Sequence, residues 1–150
     1  MGIADAKVRE LDARIRLALC RLYLDRYEHT ESAEQLSSVN ELLESERDKL
    51  RMERTVLASR LEIQQGVYAP AYRRLKKTLR LAGEGRQVTG RRSLLMQVLL
   101  RSERLAMTEA YMLLAVAAYE LGHENEARWA LEEARERGAD VSLLARTLIG

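Results

Sequence analysis

Residues 113–140 read LLAVAAYELGHENEARWALEEARERGAD and hold the clearest structural pattern in this 150-residue chain. A large and a small residue, Leu114 and Ala115, stand before a Leu121-Gly122 pair, and three apolar residues then follow at spacings of four and three (Ala127, Leu131, Ala134). Such spacings place side chains on one face of a helix, and glycine suits the turn that ends a helix. The segment therefore predicts two antiparallel helices joined by a tight turn.

The rest of the chain fits the same architecture. One proline, eight glycines and no phenylalanine, beside abundant Ala, Leu, Glu and Arg, favour helix almost throughout. Apolar periodicity predicts helices over residues 4–27, from about 30 to 44–47, and over 48–65, 68–82, 91–121 and 124–137, with a short closing helix at 141–148. The stretch 91–121 is predicted either as one helix or as two helices joined near residues 102–108.

Two details of the first hairpin are predicted from local signals. Thr30 is a candidate N-cap of the second helix, since its hydroxyl can accept a hydrogen bond from a free amide. The first helix is predicted to turn one apolar face inward (Val8, Leu11, Ile15, Ala18, Leu19, Leu22, Tyr23). The length fits a single domain over residues 1–150, so the predicted fold is all-α, with three irregular hairpins and a capping helix.

Small residues recur where two helices of a hairpin must approach closely. Cys20 precedes Ala33 by 13 positions, Ala58 precedes Ala71 by 13, and Ala115 precedes Ala127 by 12. We expect Ala58 to contact Ala71 and Ala115 to contact Ala127. The first small residues lie 38 and 57 positions apart (20 to 58 and 58 to 115), so the repeats are irregular.

The segments LLAVAAYELGHENEARWALEEARERGAD (113–140) and QQGVYAPAYRRLKKTLRLA (64–82) resemble the tetratricopeptide-repeat family, whose hairpins of about 34 residues carry such small and large residues. In that family the first helix of each hairpin lines a concave binding face. The resemblance therefore implies a set of partner contacts on the predicted third and fifth helices: Thr55, Ser59, Glu62, Ile63, Glu109, Met112, Val116, Tyr119 and Glu120.

Residues 57–150 are also similar to a narrower group. TEAYMLLAVAAYELGHENEARWALEEA (108–134) and the terminal LLARTLIG (143–150) look like the repeat-type sensor region of maltose-activator-like LuxR-family bacterial transcription regulators. This resemblance implies a regulatory region that binds an inducer or an inhibitor protein.

No catalytic, metal or cofactor motif is found in the sequence. The two histidines, His29 and His123, fall in predicted turns, and the single Cys20 has no second thiol for a disulfide. The glycine-rich GEGRQVTG (83–90) lacks the lysine and hydroxyl residue of a phosphate loop, and no strand precedes it. We expect a non-enzymatic protein without metal or cofactor, in the reducing cytoplasm.

Charge is concentrated in residues 73–104, which hold ten basic and two acidic residues, a balance of +8 in a chain whose net charge is +2. The predicted basic patch comprises Arg73, Arg74, Lys76, Lys77, Arg80, Arg91 and Arg92. Such a patch is either an ordinary solvated face or a surface that attracts an acidic partner. A protein or peptide is favoured over nucleic acid, since aromatic residues for base stacking are sparse there.

The sequence thus predicts a scaffold that binds a protein or peptide on the concave face of stacked hairpins. Two alternatives are a ligand-sensing or inhibitor-sensing region of a transcription regulator, and a self-associating protein that uses the apolar segment Leu94, Leu95, Val98, Leu99 and Leu105. No uncharged apolar run approaches the ~18 residues of a membrane span, so neither export nor membrane insertion is expected.

Overall fold

The computed structural model describes residues 3–84 and 94–140, with side chains over 5–81 and 104–140. Its elements in chain order are α1 (Ile3–Asp25), α2 (His29–Leu42), α3 (Arg51–Gln64), α4 (Tyr68–Glu84), α5 (Leu94–Glu120) and α6 (Glu124–Glu136). The all-α prediction is confirmed, and no strand occurs within these ranges. Residues 94–120 form one helix, which decides between the two arrangements predicted for this stretch. The predicted closing helix at 141–148 lies outside the described residues.

The helices pair as three hairpins, α1 with α2, α3 with α4 and α5 with α6. Each hairpin turns at a residue in the left-handed region: Tyr27 (φ 58°), Gly66 (φ 79°) and Gly122 (φ 86°). The next amide then donates to the carbonyl five residues back, from Glu28 to Tyr23 (2.9 Å), Val67 to Glu62 (2.8 Å) and His123 to Ala118 (2.8 Å). All three turns therefore have the same length and the same hydrogen bonding.

This shared turn corrects the register predicted for the first two hairpins. Seven residues before each turn lies a fully buried small residue: Cys20, Ser59 and Ala115. Twelve residues after each of these lies another buried small residue: Ser32, Ala71 and Ala127. Ala33 is exposed, and Ala58 packs against the first hairpin. The close-contact positions predicted at Ala33 and Ala58 are therefore wrong by one residue: Ser32 and Ser59 occupy them. The repeats are accordingly offset by 39 and 56 residues (20 to 59 and 59 to 115).

Two apolar cores join the hairpins in chain order. The first core lies between α1 and α2 and includes Leu57 of α3, with Leu50, Ala58 and Leu61 packed beside it. The second core is built from α3, α4, α5 and α6. Because α3 carries apolar residues on two faces, it packs on the first hairpin with one and on the third with the other.

The face of α1 that packs inward is the opposite of the predicted one. Its buried residues are Ala13, Leu17, Cys20 and Leu24, whereas the predicted inward residues Val8, Leu11, Ile15, Ala18, Leu19 and Leu22 are exposed. Both faces of α1 are apolar, so periodicity alone could not choose between them. Thr30 lies inside α2, whose N-cap position is held by Glu28 without a side-chain capping bond.

Candidate binding groove between α4, α5 and α6

A cavity of about 490 Å³ opens where α4, α5 and α6 meet. We call it the basic groove and define it by the residues that line it: Lys76, Lys77, Leu79 and Arg80 of α4, Tyr111 and Leu114 of α5, and Glu126 and Trp129 of α6. Leu79, Tyr111 and Leu114 are buried and form an apolar floor. The groove therefore combines an apolar floor with a charged rim.

The pattern of α4 explains why its cations line the rim. Leu75 and Leu79 are four residues apart and anchor the helix in the second core. Lys76 directly follows Leu75, and Arg80 directly follows Leu79. The two cations therefore also lie about one turn apart, beside the row of buried leucines. All the basic side chains of α4 that precede residue 81 are exposed, as expected for cations on the outer side of an amphipathic helix.

Trp129 stands opposite the cations and packs against Tyr111 of the floor. The rings of Tyr111 and Trp129 meet edge to face with centroids 5.8 Å apart. The Arg137 guanidinium carbon lies 4.4 Å from the centroid of the Tyr111 ring, and its Nη1 donates to Glu133 at 2.6 Å. Trp129 nevertheless stays 51% exposed. The exposed part of the indole, held in place by Tyr111, can pack against an apolar group of a ligand.

One end of the groove is closed by a polar cluster. Lys76 Nζ lies 3.1 Å from the Glu126 carboxylate and 3.2 Å from the Tyr72 hydroxyl, and that hydroxyl also donates to Glu126. The Tyr72 ring stacks on His123 with centroids 5.3 Å apart. These contacts tie α4 to the start of α6.

The cluster also sets the ionisation of its members. Burial alone would raise the pKa of Glu126, but hydrogen bonds from Tyr72 and Lys76 outweigh it, and the pKa is lowered overall. The hydrogen bond to Glu126 raises the pKa of Tyr72, and hydrogen bonds to Tyr72 and Glu126 raise the pKa of Lys76. Lys76 and Glu126 therefore stay charged and satisfy each other.

The other two cations of the rim have no such partner. Neither Lys77 nor Arg80 forms an ion pair with any residue that the structure describes. With Lys76 neutralised by Glu126, these two side chains carry the net positive charge of the groove. They are the groups that an anionic ligand would meet first.

The contacts predicted on α3 do not form an open row. Thr55 and Ser59 are buried, and the Thr55 hydroxyl lies 3.4 Å from that of Thr78, so their predicted exposure is wrong. Glu62 pairs with Arg74, and Ile63 packs against the second core. These predictions failed because the second hairpin was aligned one residue out of register, so residues of α3 that face the core were assigned to its outer face.

The contacts predicted on α5 are more accessible. Glu109 accepts two hydrogen bonds of 2.9 Å from Arg21 of α1, and Met112 packs beside the second core. Val116 is half-buried, while Tyr119 and Glu120 are exposed. A partner contact by this row stays a prediction.

The predicted basic patch overlaps the groove at Lys76, Lys77 and Arg80. Arg73 and Arg74 are exposed on the same helix, and Arg91 and Arg92 lie outside the described residues. Tyr111, Glu126 and Trp129 were not predicted as site residues. The one available signal was Trp129, the only tryptophan of the chain, placed on the polar side of an amphipathic helix.

Within the described ranges, no three His, Cys, Asp or Glu side chains come together as metal ligands would. No helix there combines the length and the apolar character required to cross a bilayer. Comparisons of the chain with protein-family models, curated proteins and solved structures found no match.

Proposed function

We propose that this protein is a non-catalytic binding module that recognises an acidic segment of another protein through the basic groove. The observation that carries the proposal is an apolar floor and a half-exposed Trp129 beside Lys77 and Arg80, two cations that form no ion pair within the described part of the chain. A peptide with one bulky apolar side chain between carboxylates complements both features.

The composition of the groove favours a peptide over nucleic acid. Leu79 and Leu114 offer only apolar contact, which suits an aliphatic or aromatic side chain. With Lys76 neutralised by Glu126, two cations remain on the rim, fewer than the several phosphate contacts that nucleic-acid binding commonly uses. Binding is therefore proposed on the side of α4 and α6, in place of the concave-face contacts expected from the sequence.

The regular turn and the recurring buried small residues support the proposal that the hairpins are of the tetratricopeptide type. Scaffolds of stacked hairpins present binding surfaces without any catalytic group. The interpretation as a sensor region of a transcription regulator stays a prediction, because no contact among the described residues is specific to it.

Trp129 makes the proposal directly testable, since the chain holds no other tryptophan. Indole emission is titrated with a short peptide of alternating acidic residues and leucine, and with a matched peptide in which lysine replaces the acidic residues. We expect only the acidic peptide to shift the emission. Affinity should fall as ionic strength rises from about 0.01 to 0.15 M, because exposed charges are then screened.

Charge reversal identifies the groove as the site. Lys77→Glu and Arg80→Glu should each weaken binding about 3- to 10-fold, as expected for exposed charge pairs. Arg26→Glu is the matched control: it makes the same charge change at the end of α1 and should leave the affinity unchanged. Equal losses in all three variants, or tighter binding of a single-stranded oligonucleotide than of the peptide, would contradict the proposal.

A further inference from the structure

The outer face of α1 carries a continuous apolar stripe that no described residue covers. Its members are Val8, Leu11, Ile15, Leu19 and Leu22, each between 38% and 65% exposed. Their exposed surface equals that of almost three fully exposed residues, on the order of a few hundred Å². The stripe is about 21 Å long, since Val8 and Leu22 are separated by about 14 steps of 1.5 Å along the helix.

The shared register of the hairpins shows what kind of surface the stripe is. The reference point in α1 is its buried small residue, Cys20. Leu11 lies nine positions before Cys20, Leu19 lies one before it and Leu22 lies two after it. The residues at the same positions of the second hairpin are Leu50, which precedes α3, and Ala58 and Leu61, and those of the third are Ala106, Leu114 and Ala117. The residues of the second hairpin pack against the first core, and those of the third are buried. Three of the five stripe positions therefore correspond to residues that pack on a neighbouring helix in the later hairpins, whereas the positions of Val8 and Ile15 hold Arg47 and Arg54 in the second hairpin.

The stripe is symmetric about its centre. Ile15 lies midway between Leu11 and Leu19 and midway between Val8 and Leu22. When a second α1 runs antiparallel with Ile15 on a two-fold axis, Leu11 lies level with Leu19 of the second copy and Val8 lies level with Leu22 of the second copy, each pair spread across the two sides of the axis. Large apolar side chains thus occupy matching levels of the two helices, which suits an interface between identical surfaces.

Charges beside the stripe complement each other in the same arrangement. Lys7 and Asp25 are 18 residues apart, which is five full helical turns, so they lie on the same flank of the stripe. In the antiparallel pair, Lys7 of one copy and Asp25 of the other lie at nearly the same height, about 3 Å apart along the axis. The symmetry forms this opposite-charge pair twice. Asp25 also contacts Arg60 at 2.5 Å, and its side chain remains more than half exposed.

Arg14, another cation on the Lys7 flank, is paired within its own copy. Arg14 would approach Arg14 of the second copy, but its Nη2 lies 3.2 Å from the Glu10 carboxylate, which also pairs with Lys49. Lys7 forms no ion pair within the described part of the chain, so its charge is available to Asp25 of the second copy.

We infer that the protein forms a two-fold symmetric dimer in which two α1 helices pack antiparallel through Val8, Leu11, Ile15, Leu19 and Leu22. The occupant of the stripe is thus a second copy of this chain. This inference does not depend on the basic groove, which lies on the second and third hairpins.

Light scattering coupled to gel filtration, from about 1 µM to 1 mM protein, tests the dimer. The wild-type chain should approach twice the monomer mass. Ile15→Glu, which places a carboxylate against its own copy on the axis, should raise the dimer dissociation constant at least 30-fold. Leu105→Glu is the matched control, because Leu105 is 68% exposed on α5 and outside the stripe. Circular dichroism should show that both variants keep their helix content.

Charge exchange tests the antiparallel orientation. Lys7→Asp alone and Asp25→Lys alone place like charges opposite each other and should each weaken self-association. Mixed together, the two variants should form a heterodimer with two restored pairs. A wild-type monomer at all concentrations, dissociation by Leu105→Glu instead of Ile15→Glu, growth into open polymers, or no preference for the mixed pair would each overturn the inference.

Discussion

Two buried serines should respond in opposite directions to the same substitution. Ser59 and Ser32 are both fully buried small residues at helix contacts, one in α3 and one in α2. The Ser59 hydroxyl has no hydrogen-bond partner among the described residues. The Ser32 hydroxyl donates to the Glu28 carbonyl at 2.7 Å. Ser59→Ala should therefore stabilise the protein, and Ser32→Ala should not.

The magnitudes follow from the hydrogen bonds. A buried hydroxyl without a partner costs about 1–3 kcal/mol of desolvation, so its removal from position 59 should add about 1–2 kcal/mol to the free energy of unfolding. Removing the Ser32 hydroxyl loses one hydrogen bond, at about 0.5–1.5 kcal/mol. The Glu28 carbonyl still accepts from the Ser32 amide at 3.1 Å, so no orphaned group is left. Alanine's higher helix propensity adds up to about 0.5 kcal/mol in both variants and largely cancels in the comparison.

Urea unfolding followed by circular dichroism measures both variants against the wild type, and an unchanged m-value shows that the unfolding reaction is the same. The free energy of unfolding of Ser59→Ala should exceed that of Ser32→Ala by at least about 1 kcal/mol. This corresponds to a difference of roughly 2–4 °C in Tm for a chain of this size. Equal effects of the two substitutions, or a loss of stability in Ser59→Ala, would refute the assignment of Ser59 as a buried residue whose hydroxyl has no partner.

Three further predictions concern the hairpins. Ala115→Leu or Ala127→Leu should overpack the third hairpin and lower the free energy of unfolding by about 1–3 kcal/mol in urea titrations, whereas Ala33→Leu on the exposed face of α2 should change it by less than about 0.5 kcal/mol; equal effects would contradict the corrected register. Tyr27→Gly should raise Tm, since a residue with a side chain costs about 1 kcal/mol in the left-handed region; a lower Tm would contradict a strained turn. Burial raises the pKa of the Cys20 thiol to about 11, so a thiol reagent at pH 8 should react only after unfolding. Because the folded pKa lies above the unfolded value of 9.0, the associated stability is complete below pH 9 and is lost as pH rises through 11; rapid labelling of the native protein would disprove this burial.

Much of the fold was predictable because helices and their ends follow from neighbouring residues. Gly66 and Gly122 marked two turns correctly, and Leu131 and Ala134 marked the inward face of α6. The first turn was harder to place, because its left-handed residue is Tyr27 and not glycine. Without that marker, the alignment of the first two hairpins shifted by one residue, and Ser32 and Ser59 were missed as close-contact positions.

The basic groove was predicted only in part, for a different reason. Lys76, Lys77 and Arg80 were recognised from the charge density of one segment. Tyr111 and Trp129 come from other helices, and no local pattern relates them to α4. Their contact depends on how the third hairpin packs on the second.

Local patterns alone account for the helices, two of the three turns and the basic segment, because propensity, periodicity and charge are properties of residues close together in the chain. The choice between the two apolar faces of α1, and the meeting of cations, aromatic rings and an apolar floor in one groove, depend on contacts between residues far apart in sequence. A helix face is buried only where another helix packs against it, and the packing is determined by how the hairpins stack.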